Sequence, residues 1–197
     1  MTSRDPTQFL GLGIITPHVV DLEKTVYSTR NLDRSRTLIL YPGTNWRFQI
    51  TLENATREKV AELLAHRVLF FGQGSFDLPI PQILGVLTPS GAYRVRGAQA
   101  AGRTTLNVSG SDAELSIGAF FNIAGDSTLY QVVAMPVTTG SNKSFRVRPA
   151  TKRAAANNAA ISFTPTARVR YSPEGASAVT ILGANRVRPT LDLEEVV

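Results

Sequence analysis

The 197-residue chain contains no cysteine, two histidines and a single tryptophan. Without cysteine there are no disulfides, no thiolate nucleophile and no sulfur-ligated zinc or iron–sulfur site. His18 and His66 are the only imidazoles. A metal or catalytic pair would need them to converge from unrelated elements, and His66, closing an expected helix, has a simpler place as a cation facing the helix C-terminus. No run of about 18 apolar residues occurs, and the opening Met1-Thr2-Ser3-Arg4-Asp5-Pro6 has no basic segment leading into a hydrophobic one. Neither a membrane span nor a secretory leader is therefore expected. Equally missing are a glycine-rich loop ending in Lys-Ser/Thr, Gly-x-Gly-x-x-Gly, His-Glu-x-x-His and Gly-x-Ser-x-Gly. The expectation is a protein with no cofactor, no metal and no enzymatic activity.

What is present suits a folded core. Hydrophobic residues make up 43% and charged residues 18%, which is not the polar bias of a disordered chain, and the length allows one domain of ordinary size or two small ones. The formal charge of +6 is unevenly placed. Residues 1–85 hold nine basic and eight acidic side chains, residues 86–170 ten and three, and residues 171–197 two and four. The middle segment alone carries +7, the mark of a surface for polyanions or acidic proteins. Of the 21 basic residues 17 are Arg, whose planar fork favours fixed bidentate pairing.

Residues 36–41 and 46–52 read as strands around a four-residue loop, since Trp46, Phe48, Ile50 and Leu52 alternate with polar residues. A single amphipathic helix is predicted over 56–67, with Val60, Leu63 and Leu64 at helical spacing and Asn54 or Thr56 as N-cap. Strands follow at 68–71 and 75–80, and the prolines and glycines after them suggest a junction near residue 85. From 92 to 166 the pattern is short strands only: 92–97, 104–108, 120–124, 128–135, 144–148 and 160–164, with Gly125-Asp126 as a tight turn that places Gly first. Such a run implies a small barrel or sandwich. Residues 168–171, 178–182 and 190–197 alternate again and are expected to close a sheet begun at the N-terminus, which makes the first domain discontinuous.

Arg-Val-Arg occurs four times, starting at Arg94, Arg146, Arg168 and Arg186. On a strand the period of two turns both Arg outwards and the Val inwards. The runs are either solvated, aggregation-resistant strand faces or a basic surface for acidic residues or nucleic acid; Arg94, Arg96, Arg146, Arg148, Arg168 and Arg170 are the candidates for the latter. Carboxylate pairs Asp112/Glu114, Glu58/Glu62 and Glu194/Glu195 lack the aromatic groove of a glycosidase cleft, and Trp46 begins an apolar face suited to a core. A basic barrel also suits single-stranded nucleic acid. Tyr93, Phe145 and Tyr171 nevertheless alternate with Arg and so face the opposite way, and Phe120-Phe121 would turn only one ring outwards.

The order of these elements resembles the distal tail proteins of long-tailed bacteriophages. The resemblance is carried by Tyr41-Pro42-Gly43, Trp46-Arg47-Phe48 and its strand, the helix ending Leu63-Leu64, Gly72-x-Gly74-x-Phe76-x-Leu78, and Pro89-x-Gly91 leading to Val95-Arg96-Gly97. It continues through Leu115-x-Ile117-Gly118-x-Phe120-Phe121-x-Ile123-x-Gly125, then Leu129-Tyr130-Gln131-Val132-Val133, then Val147-Arg148-Pro149. The chain departs from the pattern at Glu53-Asn54, where a proline-containing step precedes the family's helix, and at residues 168–171, which are more basic than its return strand.

The resemblance implies a mainly β protein. A discontinuous β-sandwich with one α-helix, residues 1–85 and 168–197, would form a homohexameric ring, and residues 86–167 would be an inserted small OB-like β-barrel. The role implied is structural: a virion protein at the distal end of the tail, assembled in the host bacterial cytoplasm. Its neighbours would be the tail tube protein, the baseplate hub or tail-tip protein and the tape-measure protein, with side-fibre proteins or host glycans meeting the barrel and no membrane partner. Head-to-tail ring contacts built on sheet edges would involve Leu38, Leu40, Tyr41, Trp46 and Phe48, with Asp192, Glu194 and Glu195 meeting Arg on the adjacent subunit. The alternative is an OB-like single-stranded nucleic-acid-binding protein.

Overall fold

Alternation of apolar and polar residues marks most of the described strands, and the described backbone is mainly β. The computed structural model describes residues 19–23, 26–30, 36–40, 45–51, 74–80, 92–110, 115–139, 142–172, 178–183 and 186–196, with Glu58, Ala61, Leu64, Ala65 and Arg67 between them. The strands are β1 (Val19–Glu23), β2 (Val26–Arg30), β3 (Arg36–Leu40), β4 (Asn45–Thr51) and β5 (Phe76–Pro79). Then come β6 (Tyr93–Val95), β7 (Thr105–Gly110), β8 (Phe120–Ile123), β9 (Tyr130–Thr139), β10 (Asn142–Arg148) and β11 (Ala160–Ser162). The last are β12 (Thr166–Tyr171), β13 (Ala178–Gly183) and β14 (Arg186–Glu195).

Strands β6 to β11 close into an antiparallel barrel in the order β10-β7-β6-β11-β8-β9. The barrel interior is filled two residues per strand: Tyr93 and Val95, Leu106 and Val108, Phe121 and Ile123, Tyr130 and Val132, Phe145 and Val147, and Ile161 with Phe163 just past β11. That is the inward half of a period-two pattern. Phe121 lies at the centre, its ring 5.6 Å from Tyr130, 5.6 Å from Phe145 and 5.9 Å from Phe163, within the range where aromatic pairs add to simple burial. Gly110 stands opposite Tyr93; a Cβ there would lie 2.7 Å from the Ala92 carbonyl oxygen, so close approach demands glycine.

The barrel has six strands and is fully closed, where an OB fold has five and is partly open. β11 completes the ring, pairing with β6 on one side and β8 on the other. Register steps along the β9–β10 pair between Ser144, Arg146 and Val147 supply the local bends that tight closure needs, and Pro136 falls within the first, a position that tolerates a missing N–H. The expected Gly125-Asp126 turn lies one residue earlier. The Asp126 N–H bonds the Ile123 carbonyl at 2.9 Å, so Ala124 and Gly125 are the central pair. Gly125, with φ of 85°, occupies the second position, where positive φ calls for glycine. Asp126 is thereby freed to bond Thr128 N at 3.0 Å and the Tyr130 hydroxyl at 2.6 Å.

A six-stranded sheet takes the order β1-β4-β14-β12-β5, with β13 also on β14. It draws strands from both sides of the barrel segment, and the C-terminal β14 pairs with β4 as the alternation of 190–197 leads one to expect. The consecutive strands β3 and β4 do not pair with each other: β3 forms a two-stranded ribbon with β2, while β4 lies between β1 and β14. The described residues of 75–169 form one compact unit and those of 8–74 and 170–196 another, so the divisions fall just before β5 and within β12. The described residues of the expected helix are helical, but Leu64, expected on its packed side, is 45% exposed. Val60, Leu63 and the expected strand 68–71 lie outside the described residues.

Phe121→Ala is expected to destabilise the barrel by about 3–5 kcal/mol through lost transfer energy and a residual cavity. Urea unfolding followed by tyrosine fluorescence measures it, and a loss below about 1 kcal/mol would mean that this ring does not organise the interior.

A basic ladder on the outer face of the barrel

Every inward residue of a barrel strand forces its neighbours outwards, and on β6 and β10 those neighbours are arginines. Val95 and Val147 are 1% exposed, whereas Arg94, Arg96, Arg146 and Arg148 are all exposed. β7 lies between β6 and β10, so the four share one outer face. Along β7 the register gives successive levels. Ser109 stands beside Arg94 and Asn142, and Asn107 beside Arg96, whose N–H reaches the Asn107 carbonyl at 2.9 Å, and Ser144. Thr105 stands beside Arg146. The Val147 N–H bonds the Thr104 carbonyl at 2.9 Å, which carries the register on to set Arg103 beside Arg148. Arg103 is exposed and completes the ladder. Sequence patterning missed it because it lies outside any Arg-Val-Arg run; only the strand register brings it in.

Among the described residues Arg96, Arg103, Arg146 and Arg148 make no ion pair. Arg94 donates from Nη1 to the Asn158 carbonyl at 3.2 Å and is otherwise exposed. Like charges on adjacent strands repel, and no described carboxylate pairs with them. Hydrogen bonds tie together the chain around the Arg103 end of the ladder. Gln99 and Ala155 exchange backbone hydrogen bonds of 2.9 and 2.8 Å, Gly102 N bonds the Thr151 carbonyl at 2.6 Å, and Thr151 N bonds the Arg103 carbonyl at 2.9 Å. The Gln99 side chain adds bonds to the Asn107 carbonyl at 2.8 Å and its N–H at 3.2 Å. Inside, the Tyr130 hydroxyl donates to Asp126 and accepts the Lys152 N–H at 3.1 Å.

The other candidates lie elsewhere. Arg168 is on β12, where its Nε donates to Ser75 Oγ at 2.9 Å, and Arg170 pairs with Glu194 of the same chain. Glu195 is 2% exposed and its Oε2 accepts the Trp46 N–H at 3.3 Å; Glu194 and Glu195 thus point opposite ways, as an extended strand requires. Asp192 is half-buried on β14, and its carbonyl accepts the Ser172 N–H at 3.0 Å. Trp46 and Phe48 are buried within the chain at 3% and 1%. Leu38 and Leu40 fall on β3, while Tyr41, His18, His66, Asp112, Glu114 and Glu62 lie outside the described residues. Phe120, the ring that alternation turns away from the barrel interior, is 1% exposed and outside the barrel cluster, so it offers no stacking surface; nor do Tyr93, Tyr171 and Phe145, all buried.

No protein-family model matches the chain, and no curated protein gives a significant match.

Burial raises the Tyr130 hydroxyl above its ordinary value, helped by Asp126, and burial raises Tyr171 in the same direction against the opposing pull of Arg67. A raised folded-state value means that the neutral phenol is favoured by folding. Stability is therefore complete below about pH 10, the unfolded value, and falls as pH climbs beyond it. The expected slope is about 1.4 kcal/mol per pH unit for each tyrosine. Chemical denaturation at pH 9, 10 and 11 should show this loss in the native chain and a shallower one in Tyr171→Phe; parallel profiles would contradict it.

Proposed function

We propose that the chain is a structural virion protein that forms a ring at the distal end of a bacteriophage tail, joining the tail tube to the tip or baseplate hub. The observation that carries this reading is the division of labour in the chain: a sheet assembled from both ends of the sequence, interrupted by a closed barrel that contributes no strand to it. In this reading the residues flanking the barrel build a β-sandwich with one helix and the hexameric ring, and the barrel, OB-like in role, decorates the outside. β1 and β5 end the described sheet and the β2–β3 ribbon pairs with no further described strand. Open strand edges of this kind are templates for pairing with another chain, and two different edges on one subunit are what a head-to-tail ring requires.

Some assignments shift within this reading. Trp46, Phe48 and Glu195 act from inside the subunit, shaping β4 and β14, and Glu194 is already paired with Arg170. The ring contact then rests on Leu38 and Leu40 of the β3 ribbon and on sheet edges. The tape-measure protein and DNA pass through a channel that needs shape and stiffness, with no reactive group. The alternative reading, a barrel for single-stranded nucleic acid, retains the unpaired arginines as support but has none of the stacking rings that such barrels place on their surface.

Light scattering on the purified chain is expected to give six times the monomer mass, and Leu38→Lys with Leu40→Lys to reduce it to one. A native chain that remains a monomer, or a double variant that stays hexameric, would remove the ring or the β3 contact respectively.

A further inference from the structure

The arginine ladder has a period, and the period suggests what it holds. Successive outward residues of an antiparallel strand lie about 6.8 Å apart, so the four levels from Arg94 to the Arg103/Arg148 pair span about 20 Å along β7. Each level offers a guanidinium: from β6 at the first two, from β10 at the third, and at the last from β10 (Arg148) and from Arg103, which continues the line of β7 itself. The floor between them is the short polar series Ser109, Asn107 and Thr105, which leaves a ligand room to lie along the strand. An extended peptide repeats its side chains on one face at this same spacing. A run with carboxylates at every second residue therefore matches the ladder level for level, and the guanidinium fork suits a carboxylate bidentately.

Two further observations favour a polypeptide over a nucleic acid. The rings of β6 and β10, Tyr93 and Phe145, are 1% exposed and point into the barrel, so the face has nothing on which a base can stack. In contrast, β9 sets aliphatic side chains beside it. Val137, directly across from Ser144, is 67% exposed, and Val133 is 36% exposed. Arginine is among the residues enriched at protein–protein interfaces, and the exposed valines add apolar area that a polypeptide can cover.

We propose that the β6–β7–β10 face of the barrel docks an extended acidic segment of a partner protein, one with Asp or Glu at alternate positions over about seven residues and small or aliphatic residues between them. This rests on the reading of the barrel as the partner-docking module and names the chemistry of that partner. Binding neutralises the four guanidiniums that have no partner among the described residues, which relieves their mutual repulsion. The interaction is expected to weaken as salt rises, because the face is solvent-exposed.

The test uses the full-length chain and fluorescence anisotropy in low-salt buffer. The probes are a labelled nine-residue peptide alternating Glu with Thr or Val, a peptide of the same composition with its Glu residues in one block, and labelled oligo-dT. Supporting results are saturable binding of the alternating peptide, at least fivefold weaker binding of the block peptide, and a loss of at least tenfold in the variant R96Q/R146Q/R148Q. A variant that loses the same charge elsewhere, R57Q/K59Q/R186Q, should bind as the native chain does, and circular dichroism should show both variants folded. Equal binding of the two peptides, tighter binding of oligo-dT, or equal loss in both variants would overturn the proposal. Light scattering of the same samples keeps the outcomes separate: a hexamer that ignores the peptide removes only the ladder, and a monomer that binds it removes only the ring.

Discussion

Closure of the barrel is the constraint from which the surface of this protein follows. Six strands surround a core filled largely by two side chains per strand, with Leu115, Ala119 and Ala155 from the connections, and Tyr93, Phe121, Tyr130, Phe145 and Phe163 take much of it. Once Val95 and Val147 are committed to the interior, their neighbours have no choice of side. Four arginines are driven outwards, and since β7 is short in side chain and polar, they flank it as two arms of one ladder. The same closure removes every free strand edge from the barrel, so any partner it meets must bind through side chains and not by strand addition.

The sheet has the opposite character. It ends at β1 and β5, and the β2–β3 ribbon is separate. Open edges bind through the backbone, which is insensitive to side-chain identity, whereas the barrel face binds through charge, which is sensitive to spacing. An edge suits contacts between identical subunits repeated around an axis; a charged face suits a different chain. β12 and β14, returning after the barrel, complete the sheet without contributing a strand to the barrel.

The internal ion pair and the buried carboxylate show where charge is spent on the fold itself. Arg170 and Glu194 meet on adjacent strands, and Glu195 turns inwards to hold the Trp46 N–H, tying β14 to the start of β4. These groups are occupied, whereas Arg96, Arg103, Arg146 and Arg148 make no ion pair among the described residues. Gln99 and Thr151 brace the loops beside this repulsive cluster, and the proposed acidic segment would relieve its charge.

Much of this was legible in the linear pattern. Alternation around Trp46, through the six barrel segments and at residues 168–171 located strands to within a few residues, and told which Arg would be exposed, because a period of two is a local property of the backbone. β1 and β2 were not foreseen, and neither was the one-residue shift of the Gly125 turn, which the hydrogen bond from Asp126 to Ile123 selects. Pairing was beyond local reading. That β3 leaves β4 for β2, that β11 completes the ring, that Phe120 is buried despite facing away from the barrel core, and that Arg103 joins Arg148 while Arg168 does not, are decided by contacts between residues far apart in sequence. The amino-acid order by itself determined which side chains turn in and which turn out. Only the tertiary structure decided which outward residues become neighbours, because strand register is a property of pairs and is set by how the chain closes on itself.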